Sequence, residues 1–173
     1  MADLQDVLLV DAYNMIGGWP ELAQLATQNM QEARDRLLER LANYQAFSGK
    51  QVIAVFDAYR VPGLGKSFSQ SKIQVFFTKE KETADETIER LVGEMTRRRR
   101  QIYVATSDLI EQHVIFAKGA LRLSGRELLI EVENCEREIQ KQIELDKHVS
   151  KGNTLDAKLS KEQRILFERW RRE

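Results

Sequence analysis

The sequence has a single cysteine, two prolines, two histidines and no long apolar run. One cysteine, Cys135, excludes an internal disulfide and any metal site built on clustered thiolates. It stands in a highly charged, helix-like stretch and reads as incidental. No apolar stretch approaches the ~20 residues that span a bilayer. The run Val7–Val10, behind a polar start, is too short for a signal-peptide core. A cytoplasmic chain without a membrane segment is expected. No P-loop or G-x-G-x-x-G follows an apolar run, so no nucleotide-cradling loop is readable. His113 and His148 lie far from any serine motif or partner acid and read as structural or solvated.

Net charge is also lacking, yet it is unevenly spread. Residues 1–96 carry 10 basic and 14 acidic side chains, residues 97–173 carry 17 and 13. An acidic part beside a basic part suits a protein that binds cations in one place and polyanions in another, or is simply two solvated surfaces. With 173 residues, 42% of them hydrophobic, the chain has room for one α/β domain and a short appendage. The spacing divides it into a domain over residues 1–148 and a linker with a short amphipathic helix over 149–173.

Four short apolar runs stand out: Val7–Val10, Val52–Phe56, Ile73–Phe77 and Ile102–Ala105. Three are nearly continuous rather than alternating, the pattern of strands covered on both faces of a parallel sheet. Helical spacing fills the intervals. It runs from Asn29 to Phe47 with Gly49 as the closing cap, from Thr83 or Ala84 through Met95, after Ser107-Asp108, and from about Gly125 to Lys147. Arg60–Lys72 (RVPGLGKSFSQSK) reads as a mobile basic loop and Val149–Asp156 as a linker. Ser160 and Gln163 form a capping-box pattern ahead of a last short helix. Strand–helix alternation predicts an α/β, three-layer fold, a mostly parallel central sheet flanked by helices.

The residues after each run carry the chemistry. The first ends in Asp11-Ala12-Tyr13-Asn14 and the second in Asp57-Ala58. The third is followed by Glu82-Thr83-Ala84-Asp85 at a helix start, the fourth by Thr106-Ser107-Asp108. Ligands of open parallel sheets bind beyond the carboxyl ends of the strands. Asp11, Asp57, Asp85 and Asp108 are therefore expected at one edge. Any one of them alone also suits a cap or a turn. Four carboxylates together repel one another unless a cation neutralises them, and Mg²⁺ or Mn²⁺ takes such oxygen ligands. The ion lowers the pKa of a bound water and stabilises charge on a phosphodiester under attack. Asn14 can donate to phosphate, orient a water or bond the turn backbone. Ser107 and Thr106 have the same two readings, and Tyr13 either stacks on a base or packs.

A haloacid-dehalogenase phosphatase needs a second Asp two residues after the first, where Tyr13 stands. A response-regulator receiver needs paired acids after its first strand, and none is there. In contrast, D-x-Y-N at Asp11–Asn14, V-F-D-A at Val55–Ala58, E-T-A-D at Glu82–Asp85 and A-T-S-D at Ala105–Asp108 together resemble the NYN domain family. More narrowly they are similar to its YacP-like branch of bacterial ribonucleases. The similarity continues through Gly119-Ala120-Leu121-Arg122 and Arg126-Glu127-Leu128 to about residue 145. Ala12 departs from the more usual glycine. The resemblance implies a PIN-like fold, Mg²⁺- or Mn²⁺-dependent endoribonuclease activity, and association with the ribosome and translated mRNA. It implies Asp11, Asp85 and Asp108 as metal-centred acids, Asn14 as the signature amide and Asp57 as a further acid at the rim.

An RNA strand also needs basic neighbours for its phosphates. The candidates are Lys66 and Lys72 in the basic loop with Arg60, Lys79 and Lys81 before Asp85, and Lys118, Arg122 and Arg126 at spacing four and four. Tyr13 and Ser107 complete the substrate-binding set. Arg97–Arg100 precedes the fourth strand, hence the opposite edge, and reads as a solvated helix end or a secondary contact to ribosomal RNA. Two other functions compete with the ribonuclease: a non-catalytic RNA- or ribosome-binding module, and a metal-dependent phosphatase of small molecules. Oligomeric state is not legible in the sequence.

Overall fold

The computed structural model describes residues 5–58, 73–79, 81–96 and 100–152. In chain order it forms β1 (Val7–Asp11), α1 (Ala12–Gly18), α2 (Pro20–Gln28), α3 (Met30–Ser48), β2 (Gln51–Phe56), β3 (Gln74–Phe77), α4 (Ala84–Met95), β4 (Ile102–Ala105), α5 (Leu109–Ala117), β5 (Leu121–Leu123) and α6 (Gly125–Gly152). The strands make one five-stranded sheet in the order β3-β2-β1-β4-β5. Every pairing is parallel. The expected α/β architecture is what forms.

Residues of β1 are buried at all five positions, as a central strand covered on both faces requires. Val7, Leu9, Ile53, Val55, Ile102 and Val104 meet Ile88, Leu91 and Val92 of α4 and Ile115 of α5 in one cluster. Leu8, Val10, Val52, Ala54 and Phe56, at the alternate positions, are equally buried, and α1 and α3 pack on the sheet as well. At ~25 cal/mol per Å² of apolar surface removed from water, these two layers dominate the stability of the domain.

The helix ends are specified locally. Asn29 caps α3 by accepting from Glu32 N at 3.2 Å, and Gly49 closes it at φ +73°, a conformation glycine adopts without a Cβ penalty. Asn29–Gly49 is thus read correctly from spacing and caps. Two helices are not. The stretch 12–28 contains Gly17-Gly18 and Pro20 and gave no continuous apolar period, yet it forms α1 and α2. Pro20 sits at the first helical position of α2, where its missing N–H costs nothing.

Lys118, Arg122 and Arg126 do not share a helical face. Gly119, at φ +85°, turns the chain after α5, Arg122 lies on β5, and Arg126 opens α6. Cys135 is a core residue rather than an incidental one, 2% exposed, its thiol donating to Asn43 O at 3.8 Å.

By compactness the chain divides into Met1–Cys135 and Glu136–Glu173. In the second unit the described part is the remainder of α6, a charged helix on which Ile143 and Leu145 are exposed. That helix continues to Gly152, through the expected boundary at residue 148 and into the stretch read as a linker. The rest of that linker, the last amphipathic segment and the basic loop with Arg60, Lys66 and Lys72 lie outside the described residues. Among the described residues no helix is long and apolar enough to cross a membrane.

Candidate active site

Parallel pairing brings the carboxyl ends of β1, β2 and β4 side by side. Asp11, the last residue of β1, lies opposite Val55, so Asp57 stands two residues past its partner on β2. Val10 lies opposite Ala105, the last residue of β4, so Asp108 follows three residues beyond it in the loop before α5. Asp85 is the second residue of α4, which begins after β3 and packs across β1, β2 and β4. A capping box fixes that helix start: Thr83 Oγ1 accepts from Glu86 N at 3.2 Å, and Glu86 Oε2 accepts from Thr83 N at 3.0 Å. Four separate segments thus present one aspartate each at the same edge of the sheet.

Hydrogen bonds hold these segments in place. Asp11, 9% exposed, caps α1 by accepting from Asn14 N at 3.1 Å. Asn14 then reaches across the edge, its Oδ1 accepting from Ser107 N at 2.9 Å. The signature amide therefore ties the Asp11 turn to the loop carrying Asp108, an orienting role compatible with its NH₂ meeting a ligand. Thr106 Oγ1 accepts from Asp108 N at 3.1 Å, and Thr106 N donates to Leu123 O of β5 at 3.1 Å. Thr78, buried beside β3, accepts from Ala58 N at 2.9 Å and lies 3.5 Å from Asp57 Oδ1. A Cβ at Gly125 would meet Ser107 Oγ at 2.7 Å and Met15 Cε at 3.1 Å, both side-chain ends that can turn aside. Trp19 Nε1 donates to the Gly125 carbonyl at 2.9 Å, seating the start of α6 against this loop.

The basic and aromatic candidates divide. Lys79 and Lys81 are exposed in the turn before Asp85, and Lys81 takes the left-handed φ of +70°, a strained conformation for a side-chain-bearing residue. In that turn burial pushes the Glu82 carboxyl upward, but Arg90's hydrogen bond, the Lys79 N–H and Arg90's charge together hold it below its ordinary range. Tyr13 packs edge-on against Phe56, centroids 5.4 Å apart, and its hydroxyl accepts from Arg34 Nε at 3.0 Å. Arg122 and Arg126 are exposed. Lys118 is drawn to Glu89 at 3.0 Å. Arg100, the described residue of the arginine run, lies just before β4 at the opposite, amino edge.

Sequence reading missed Thr78, Arg34 and Gln112. Gln112 was findable: it stands one turn after Asp108 inside a largely apolar helix, where a buried amide must have partners.

Among the described residues no group of three or more His, Cys, Asp or Glu side chains comes close enough to hold a metal ion. Mg²⁺ commonly takes one or two protein carboxylates and keeps several waters. The donor set at this edge, carboxylates from separate loops beside an amide, fits that kind of ion rather than a closed protein cage.

The sequence pattern of the YacP-like NYN domain matches residues 8–172. The chain belongs to the YacP-like NYN domain family. It is 49% identical over 167 residues to the Bacillus subtilis (strain 168) protein called uncharacterized protein YacP, covering 96% of this chain and 97% of that one. A crystal structure of Rae1 (YacP) from Bacillus subtilis is similar with a TM-score of 0.76 at 49% identity, over 97% of this chain and 95% of that one. A point-mutant form of it gives 0.72 at 48% identity, over 82% and 83%. NYN membership implies a PIN-like nuclease fold, in keeping with the acidic edge built above. The matched span passes through the tail beyond Val149, further than the motifs alone reach.

Proposed function

We propose that this YacP-like NYN protein is a Mg²⁺- or Mn²⁺-dependent endoribonuclease of the cytosol, acting on RNA and above all on mRNA associated with the ribosome. The observation that carries the reading is the delivery of Asp11, Asp57, Asp85 and Asp108 to one sheet edge by four different segments, two of them tied by Asn14. A small-molecule phosphatase needs an enclosed site. An edge flanked by the exposed Lys79, Lys81, Arg122 and Arg126 suits a polyanionic polymer better.

Of Asp11, Asp85 and Asp108, one or two would hold the cation directly and the others through its waters, and the ion when bound would supply charge neutralisation at a phosphate and acidify a coordinated water. Asn14 keeps the Asp11 turn and the Asp108 loop at a fixed separation. Asp57, oriented by Thr78, adds negative charge at the rim. Lys79, Lys81, Arg122 and Arg126, with Lys66 and Lys72 of the basic loop, bind backbone phosphates, and Ser107 contributes a hydroxyl beside them. Tyr13, packed on Phe56 with Arg34 over its ring at 5.6 Å, would meet RNA alongside that arginine.

The test is cleavage of a translated mRNA with ribosomes, in Mg²⁺, Mn²⁺ or EDTA, beside the Asp85→Asn variant, with RNA ends mapped. Discrete cuts that need both metal and Asp85 are expected, and omission of ribosomes then shows whether they present the substrate. Binding without any cleavage would make the chain an RNA- or ribosome-binding module instead.

A further inference from the structure

Helix α5 carries one side chain that the site as described does not use. Gln112 is 5% exposed. Its backbone N donates to Asp108 O at 3.0 Å, so it sits one turn beyond the aspartate. Its amide is bonded at both ends: Nε2 donates to Thr106 O at 2.8 Å, and Oε1 accepts from Arg122 Nη1 at 2.7 Å. The Thr106 carbonyl can only accept, so it takes the NH₂ end and turns the oxygen to Arg122. A flipped amide would set oxygen against oxygen and NH₂ against guanidinium. The direction in which Arg122 is held is therefore dictated by the peptide of the loop that carries Asp108.

Arg122 itself is exposed on β5. The bond to Gln112 uses one of its five N–H donors and leaves its charge in place, because the acceptor is neutral. Glu127 lies within electrostatic reach of Arg122. That carboxylate accepts from Ser124 N at 2.7 Å, and its pKa is lowered first by the Ser124 hydroxyl and backbone and only lastly by Arg122. A buried, neutral, doubly bonded amide holding an exposed guanidinium resembles the support given to anion-binding arginines, which gain from orientation as well as charge.

We propose that Gln112 is a positioning residue that aims Arg122 at one phosphate of an RNA strand lying along the Thr106–Asp108 loop. The proposal rests on the RNA reading above. A long flexible side chain loses rotamer freedom on binding, and Gln112 removes that cost beforehand. The alternative, that Gln112 merely fastens α5 to β5, makes no prediction about salt.

The experiment titrates a fluorescein-labelled single-stranded RNA of about 20 nucleotides with the full chain in EDTA, over a series of KCl concentrations. Gln112→Met and Arg122→Ala are each expected to raise Kd about three- to tenfold. Each should flatten the slope of log K against log salt by about 0.7, one phosphate on a single strand. The double variant should be no worse than Arg122→Ala, and with metal restored the loss should fall in KM rather than kcat. Should Gln112→Met fail to fold, Gln112→Asn serves, since the shorter neutral amide cannot reach Arg122 while bonded to Thr106 O and should cost the same slope. Wild-type Kd and slope in the folded Gln112 variant, or in Arg122→Ala, overturn the proposal while Asp85-dependent cleavage by the wild type stands. A wild type that neither binds this RNA nor cleaves RNA overturns the RNA reading and this proposal with it.

Discussion

The two edges of the sheet are made from the same strands and are put to opposite use. At the amino edge, polar groups from different elements satisfy one another. Asp6 accepts from Gln51 N at 2.8 Å and from Gln101 N at 3.1 Å, joining the starts of β2 and β4 to β1. Tyr44 donates to Glu131 and accepts from Lys50 Nζ at 3.2 Å, while Lys50 also lies over the Tyr103 ring at 4.6 Å. Burial, then the hydrogen bond to Glu131 and its charge, push the Tyr44 hydroxyl far above its ordinary range, which keeps it a donor. At the carboxyl edge, four aspartates arrive from four different segments, and the bonds of Asn14, Thr106 and Thr78 fix the turns that carry them. One edge joins strand starts to one another, and the other gathers acidic residues from separate segments.

Breaking the amino edge should cost stability alone. Tyr44→Ala removes a 4%-exposed ring and strands Glu131, for a loss of about 3–5 kcal/mol in chemical denaturation, while RNA cleavage per folded molecule stays at the wild-type rate. Gly125→Ala acts on the other edge, since its Cβ would collide with Ser107 Oγ. A stability loss of less than about 1 kcal/mol is expected, since Ser107 Oγ and Met15 Cε can turn aside, together with slower cleavage, because the hydroxyl of Ser107 on the loop bearing Asp108 is displaced. Unchanged cleavage would separate that loop from the chemistry.

Lys81→Gly should raise stability slightly, by about 0.5 kcal/mol after glycine's own entropy cost, because φ +70° no longer crowds a Cβ. The same change should weaken RNA binding through loss of a charge; binding at wild-type strength would exclude Lys81 from the RNA path. The smallest effect concerns pH. Ser124 holds the Glu127 carboxyl below its ordinary range, so the stabilisation it gives the start of α6 is present above the unfolded value of about 4.3 and fades as pH falls through the lower folded value. Glu127→Gln should flatten the acid limb of the melting-temperature profile, and an unchanged limb would contradict this assignment.

Much of this was legible in sequence because buried parallel strands write themselves as continuous apolar runs. Val7–Val10, Val52–Phe56 and Ile102–Ala105 needed only that signal, and each is followed by its aspartate. The three-residue strand β5, Leu121–Leu123, is too short and too polar to announce itself, and the four-and-four spacing of Lys118, Arg122 and Arg126 suits one helical face only if a helix runs through Gly119, where the chain turns instead. Helices α1 and α2 hide behind Gly17, Gly18 and Pro20, whose breaker character is spent at helix ends. The support of the site was least legible. Asn14 to Ser107 spans 93 residues of sequence and Trp19 to Gly125 spans 106, and no local pattern encodes such pairs.

The central claim, that the carboxyl edge performs metal-dependent RNA cleavage, is tested most directly by the single-turnover cleavage rate of Asp11→Asn in saturating Mn²⁺, measured beside its melting temperature. Asparagine caps a helix as well as aspartate does, so α1 keeps its start and like-charge repulsion is relieved. The account predicts a rate reduced by about three orders of magnitude, several kcal/mol of lost transition-state stabilisation, with a melting temperature equal to or above that of the wild type. Cleavage at the wild-type rate by the folded variant would contradict it.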